Sequence, residues 1–240
     1  IYVPSSYADI DELVAIATVV GEHGGIYASH IRGEGAGLLD SINEAMEIGQ
    51  RAKLPVHISH FKSSGRDNWG LVRVAVDVIN KARERGQVVT ADQYPYRASS
   101  TSLGATLLPS KMRAGNRDAV IKRLDDPQTG KAMVDAIRTN LEKRDNGAAV
   151  RIARYNPRKD WVGKSLAQIA SEEKKPPLDI ALEIIRAGGA AIVNFSMDED
   201  DVRFVMRVPW VATASDGRAY LPGADKPHPR SYGTFPRKLG

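Results

Sequence analysis

The chain has 240 residues, 42% hydrophobic and 26% charged, which is the balance of an ordinary globular protein with ample material for a core. It contains no cysteine, which excludes disulfides and thiolate ligands within these residues, and no window approaches 18 uninterrupted apolar residues, so no segment reads as a membrane span. The net charge of +5 is not gathered on one stripe: residues 110–144 carry nine Lys/Arg against five Asp/Glu, which argues against a nucleic-acid partner.

The chain begins at Ile1 with no charged leader segment and reads as a piece cut from a longer protein. A cytoplasmic setting fits the missing cysteines, and targeting signals upstream stay open. Residues 8–24 place Ile10, Leu13, Val14, Ala17 and Val20 at helical spacing, with Asp9 at the start and Gly24 past the end. A short apolar run, GGIYASH (24–30), follows. Residues 37–53 are a second helix, with Leu38, Ile42, Ala45 and Met46 on one face. LPVHISH (54–60) is the second run, residues 70–86 a third helix closed by Gly86, and QVVTADQYPY (87–96) a third run stopped by Pro95. Strand-like runs alternating with helices about every 30 residues imply parallel strands joined by right-handed crossovers.

The rhythm breaks after residue 102. Residues 103–147 read as charged helix punctuated by glycine, and 148–155 as an extended segment. Two helices follow at 164–175 and 177–189, the second behind Pro176-Pro177. A run at 190–196, a short helix at 198–207 and a last run at 208–217 come next, and the Gly- and Pro-rich tail reads as loop. The expected division is 1–102 as βα units, 103–160 as a mainly helical insertion, and 161–240 as the last βα units with a C-terminal loop.

In parallel α/β architectures functional groups gather at the C-terminal ends of strands. Strict alternation would put Ile26, Ala28 and His30 on one face, and likewise Val56, Ile58 and His60. The later runs would give Val88, Thr90, Asp92 and Tyr94, and Ala212, Ala214 and Asp216. Each set ends in a polar residue. Two imidazoles and a carboxylate at one mouth suit a hydrolytic zinc site, in which the metal acidifies water and the carboxylate moves protons. A strand-end histidine standing alone is often only a capping hydrogen bonder, Asp216 in SDG alone reads first as a turn residue, and Tyr94 before Pro95 can be plain packing, so the residues leave both readings open. His57, of opposite parity to His60, is expected to face the helical layer, and His23 to sit at a helix C-terminus.

The motifs YASHIRGEG, HISHFKSSGRDNWG, TADQYPYRASST, SDG and HPRSYGTFPRKLG, in this order, closely resemble the D-aminoacylases, the N-acyl-D-amino-acid deacylases of the amidohydrolase superfamily. The resemblance covers nearly the whole chain and is weakest over 103–150. It implies a (β/α)8 TIM-type barrel, of which this chain would be the second half, and zinc-dependent hydrolysis of N-acyl-D-amino acids to a carboxylate and a D-amino acid. It also implies that His30 and His60 are metal ligands, that Asp216 is the catalytic base, and that Lys62, Tyr94, Ser100 and Arg230 bind substrate. The His-x-His strand and cysteine ligand of the family are absent, so the site would need residues upstream of Ile1, and the isolated chain would be inactive. The first alternative is a dihydroorotase- or hydantoinase-like cyclic amidohydrolase, which shares the histidines and the aspartate but normally uses a lysine carbamate and lacks the HPR…GTFPR tail. The second is a non-catalytic α/β domain.

Overall fold

The computed structural model describes residues 2, 4–221 and 223–240. In chain order it forms α1 (Ile10–Glu22), β1 (Tyr27–Ser29), α2 (Leu38–Arg51), β2 (Val56–Ile58), α3 (Leu71–Glu84), β3 (Val89–Gln93), β4 (Ala98–Ser102), α4 (Leu103–Leu107), α5 (Arg117–Asp125), α6 (Gly130–Glu142) and β5 (Val150–Arg154). α7 (Leu166–Glu173), α8 (Pro177–Arg186), β6 (Ala191–Phe195), α9 (Glu199–Val205), β7 (Val211–Thr213) and α10 (Arg230–Leu239) complete it. The chain is α/β, as its sequence implies. None of the described helices is long and apolar enough to cross a membrane.

Two compact units result. The first comprises Ile1–Arg97, Met197–Gly217 and Tyr232–Gly240. Its sheet is parallel throughout, in the order β1-β2-β3-β7. The helices form where expected: the Asp9 side chain accepts from the Glu12 amide at 2.8 Å to start α1, and Gly86, at φ 91°, ends the turn after α3. Leu38, Ile42, Ala45 and Met46 of α2 and Val72, Ala75, Val76 and Ile79 of α3 bury against Val56, Ile58, Val89 and Ala91. Gly49 permits this approach, since a Cβ there would lie 2.2 Å from a Val56 methyl.

The strand register reverses one expectation. Ala28 pairs with His57 and His57 with Thr90, while Val56 pairs with Val89 and Ile58 with Ala91. His57 therefore shares the face of Ala28, Thr90, Asp92 and Ala212, away from α2 and α3, and Val56 and Ile58 face those helices. The strand β2 stops at Ile58, and His60 adopts φ 41°. A residue in a left-handed turn does not continue the two-residue alternation, so parity carried past Ile58 gave the wrong face.

The second unit comprises Ala98–Ser196 and Arg218–Ser231, a wider span than the 103–160 expected. It is not mainly helical alone: β4, β6 and β5 form an antiparallel sheet in that order, so the 190–196 run joins this sheet and not the parallel one. Apolar alternation does not distinguish the two kinds of sheet, and the hydroxyl-rich ASSTS of β4 gives little strand signal. Leu103, Ile137, Trp161, Ile180, Ile184 and Ile192 anchor the core of this unit. A reciprocal capping box between Ser165 and Gln168 begins α7, and Pro177 opens α8. The segment 218–231 is tied in by Lys226 N–H to the Ala153 carbonyl (2.9 Å) and by His228 Nε2 to the Ala98 carbonyl (2.8 Å).

The tail is not all loop, because Arg230–Leu239 is helical despite Pro236. Tertiary contacts outweigh its weak local propensity. Arg237 donates to the Pro95 carbonyl at 2.6 Å and lies over the Tyr96 ring, and Lys238 donates to the Met206 carbonyl at 2.7 Å.

Candidate metal centre

The site begins where β1 and β2 end. His30 follows β1 directly, and His60 lies two residues beyond β2 in its left-handed turn. That turn is held by β3. One carboxylate oxygen of Asp92 accepts the His60 amide proton at 2.6 Å, and the Asp92 carbonyl accepts from Phe61 N–H at 2.7 Å. The other carboxylate oxygen lies 2.9 Å from His57 Nε2, and His57 Nδ1 lies 2.8 Å from the Thr90 hydroxyl. A chain of side chains on one face of the sheet thus fixes the backbone that carries His60.

The two imidazoles meet as their placement suggested, with His30 Nδ1 2.8 Å from His60 Nε2 and ring centres 4.6 Å apart. Tyr2 stacks on His30 at 4.1 Å. The carboxylate beside the histidines is one the sequence reading did not single out, Glu34. Its Oε1 lies 2.8 Å from His60 Nδ1, 3.8 Å from His30 Nδ1 and 2.5 Å from Lys62 Nζ. Among the described residues, His30, Glu34 and His60 form a group whose potential ligand atoms all lie within 4.8 Å of one another. The available signal was local, since Glu34 stands four residues after His30 in HIRGE.

Lys62 is buried, also donates to the His60 carbonyl at 2.7 Å, and lies 5.7 Å from the centre of the Tyr94 ring. Burial by itself would raise the Glu34 pKa. The Lys62 ammonium and the His60 hydrogen bond overcome that and hold the carboxyl far below its usual range, so it is ionised at neutral pH. Burial lowers the His30 pKa to about 4 against the opposing pull of Glu34, with His60 and Lys62 adding to the fall. A neutral imidazole is the form that binds a metal.

The remaining predicted residues lie on other elements. Asp216 is exposed in a left-handed conformation (φ 45°) beyond β7 and is not part of the three-residue group. Tyr94 is buried with Met197 and Val202. Ser100 sits mid-way along β4, opposite Val193, in the second unit. Arg230, buried at the start of α10, donates its backbone N–H to His228 Nδ1 at 2.9 Å. Since His228 Nδ1 accepts, its Nε2 carries the proton and donates to Ala98. Burial lowers this imidazole to a pKa of about 4, the Ala98 bond opposing and the Arg230 charge assisting. His23 caps α1, its Nδ1 2.9 Å from the Val19 carbonyl.

No family model matches the chain. It is 31% identical over 239 residues to a D-aminoacylase of Alcaligenes xylosoxydans xylosoxydans and 30% identical over 239 residues to an N-acyl-D-glutamate deacylase of the same organism. In each case the whole chain is matched, to 40% of the relative. Among solved structures it resembles the N-acyl-D-glutamate deacylase of Bordetella bronchiseptica, crystallised with zinc and a phosphonate mimic of the tetrahedral intermediate. The TM-score is 0.74 at 29% identity, over 99% of this chain and 41% of that one. The chain thus spans about two fifths of the length of the relatives it matches.

Proposed function

Since the chain is, over its whole length, a relative of the D-aminoacylase and N-acyl-D-amino-acid deacylase family of amidohydrolases, we propose that it carries part of the site of a zinc-dependent deacylase. The reaction is hydrolysis of the amide bond of an N-acyl-D-amino acid, giving a carboxylate and a free D-amino acid. In this reading β1, β2, β3 and β7 are the fifth to eighth strands of a (β/α)8 barrel. The observation that carries it is the pair His30 and His60, each with a ring nitrogen 2.8 Å from the other at adjacent strand ends.

The donor set fits zinc, being two imidazole nitrogens beside a carboxylate and buried enough that His30 stays neutral. Zinc, when bound, acidifies water and polarises a carbonyl. His30 and His60 would hold it. Asp216 takes a proton from the attacking water and passes it to the leaving amine nitrogen. Lys62, Tyr94, Ser100 and Arg230 hold the substrate's α-carboxylate and its surroundings. A guanidinium fork suits a carboxylate's two oxygens, which is the role given to Arg230. Ser100 and Arg230 receive their roles from their motifs alone. Catalytic zinc sites usually take three protein ligands, so the remaining ligation falls to residues outside these 240.

The test is zinc content and deacylation of an N-acetyl-D-amino acid by the complete protein and by His30→Ala and His60→Ala variants. Loss of both zinc and turnover in each variant is expected. Undiminished turnover by zinc-free protein would overturn the reading. The 240 residues alone are expected to be inactive.

A further inference from the structure

We propose that Glu34 is the positioning residue that fixes the tautomer of His60, and through it the affinity of the site for a divalent metal. The inference rests on the reading above, in which His60 is a ligand. The two nitrogens of an imidazole are distinct, and the bond made by one decides what the other offers. His60 has Glu34 Oε1 2.8 Å from Nδ1 and His30 Nδ1 2.8 Å from Nε2. A proton on Nδ1 donated to Glu34 leaves the Nε2 lone pair directed at His30, where a metal shared by the two rings would lie.

Lys62 presents the competing arrangement, its Nζ lying 2.8 Å from the same Nδ1. Nδ1 cannot both accept from Lys62 and donate to Glu34. Lys62 already has two oxygen acceptors, Glu34 Oε1 at 2.5 Å and the His60 carbonyl at 2.7 Å. An ionised carboxylate is the stronger acceptor and is best satisfied by donors on both sides. The 2.8 Å approach of the Glu34 carboxylate to Nδ1 puts the proton there and makes Lys62 the anchor of Glu34, with the third N–H of its ammonium left for a substrate oxygen. Without Glu34, Lys62 would donate to Nδ1 and move the imidazole proton to Nε2, occupying the lone pair a metal needs.

The loop bearing Glu34 is built to hold it. Ser64 N–H donates to the Glu34 carbonyl at 2.6 Å, Gly33 N–H to the Ser41 hydroxyl at 2.9 Å, and Leu38 N–H to the Gly35 carbonyl at 2.9 Å. A carboxylate on the far nitrogen of a metal-binding histidine commonly sets ligand orientation and basicity, and its loss costs about 10–100-fold in metal affinity.

The experiment is a long-range proton–nitrogen correlation spectrum of metal-free, 15N-histidine-labelled protein. These 240 residues contribute five histidines, and a His60→Gln variant identifies the resonance in question. The wild type is expected to carry the His60 proton on Nδ1, and Glu34→Ala to carry it on Nε2. Zinc affinity by chelator competition is expected to fall about 10–100-fold in Glu34→Ala. Glu34→Gln keeps an acceptor oxygen and is expected to retain the wild-type tautomer and most of the affinity. A wild-type His60 protonated on Nε2 overturns the proposal whether or not the alanine variant folds. So does a tautomer indifferent to Glu34, or an equal affinity loss in Gln and Ala with the tautomer unchanged, which would make Glu34 a direct ligand. A Glu34-dependent tautomer in a wild-type protein that binds no zinc would uphold the positioning and defeat the deacylase reading alone.

Discussion

Replacing Asp92 with alanine removes the support of the His60 turn, and the size of the effect follows from the contacts. One carboxylate oxygen holds the His60 amide at 2.6 Å and the other faces His57 Nε2 at 2.9 Å. Hydrogen bonds to charged groups contribute about 1.5–3 kcal/mol each, and the Asp92 side chain is 21% exposed, which trims both. A loss of about 3 kcal/mol is expected. His60 must also keep a left-handed conformation (φ 41°), which costs on the order of 1 kcal/mol and is tolerated because Asp92 holds it. Asp92→Asn separates geometry from charge. The amide oxygen still accepts from His60, and its NH2 faces His57, which can switch tautomer because the Thr90 hydroxyl both donates and accepts. The asparagine variant should therefore lose only about 1 kcal/mol. Urea unfolding of the three proteins, with zinc affinity measured alongside, makes the test. Alanine and asparagine variants of equal stability, or an alanine variant within about 1 kcal/mol of wild type, would refute the reasoning.

On the deacylase reading, Asp216→Asn in the complete protein is expected to keep zinc and to lower kcat by about 10²–10⁴-fold, and near-normal turnover in a metal-replete variant would defeat the role proposed for Asp216. Arg230→Lys is expected to raise KM for N-acyl-D-amino acids and to leave a decarboxylated amide unaffected, because an ammonium cannot replace the bidentate fork. Equal losses on both substrates would indicate damaged folding. His228 takes up a proton near pH 6.5 when unfolded but only near pH 4 when folded. Its contribution to stability is whole above pH 6.5 and is lost as pH falls from 6.5 to 4, by on the order of 3 kcal/mol. The stability–pH profile of His228→Gln should be flatter than that of the wild type across this window, and parallel profiles would contradict the assignment.

The parallel strands and their helices were legible because apolar runs and helical faces repeat in LPVHISH and in residues 37–53 with little interruption. The meeting of His30 and His60 was legible from their positions at matching strand ends. The route to it was not. The ring of His60 is aimed by a positive φ and by Asp92, and neither is visible in an alternation pattern, so His57 was assigned to the wrong face. Glu34 escaped notice because a loop residue declares its role only through the long-range partners it meets, here Lys62 and His60. The helix α10 was hidden by Gly233 and Pro236, whose local preferences are outweighed by the anchoring of Arg237 and Lys238.

The second unit is assembled from two stretches of chain, Ala98–Ser196 and Arg218–Ser231, with a segment of the first unit between them. It cannot be moved between relatives as one cassette. A chimaera exchanging only residues 98–196 would ask the resident Lys226 and His228 to bond a foreign Ala153 and a foreign Ala98, and any mismatch would be felt at the backbone of Arg230. Synthesis on the ribosome meets the same constraint. This unit cannot finish folding until residue 231 has emerged, by which point the four parallel strands have already been made. Specificity transplants in this protein should therefore carry both stretches together.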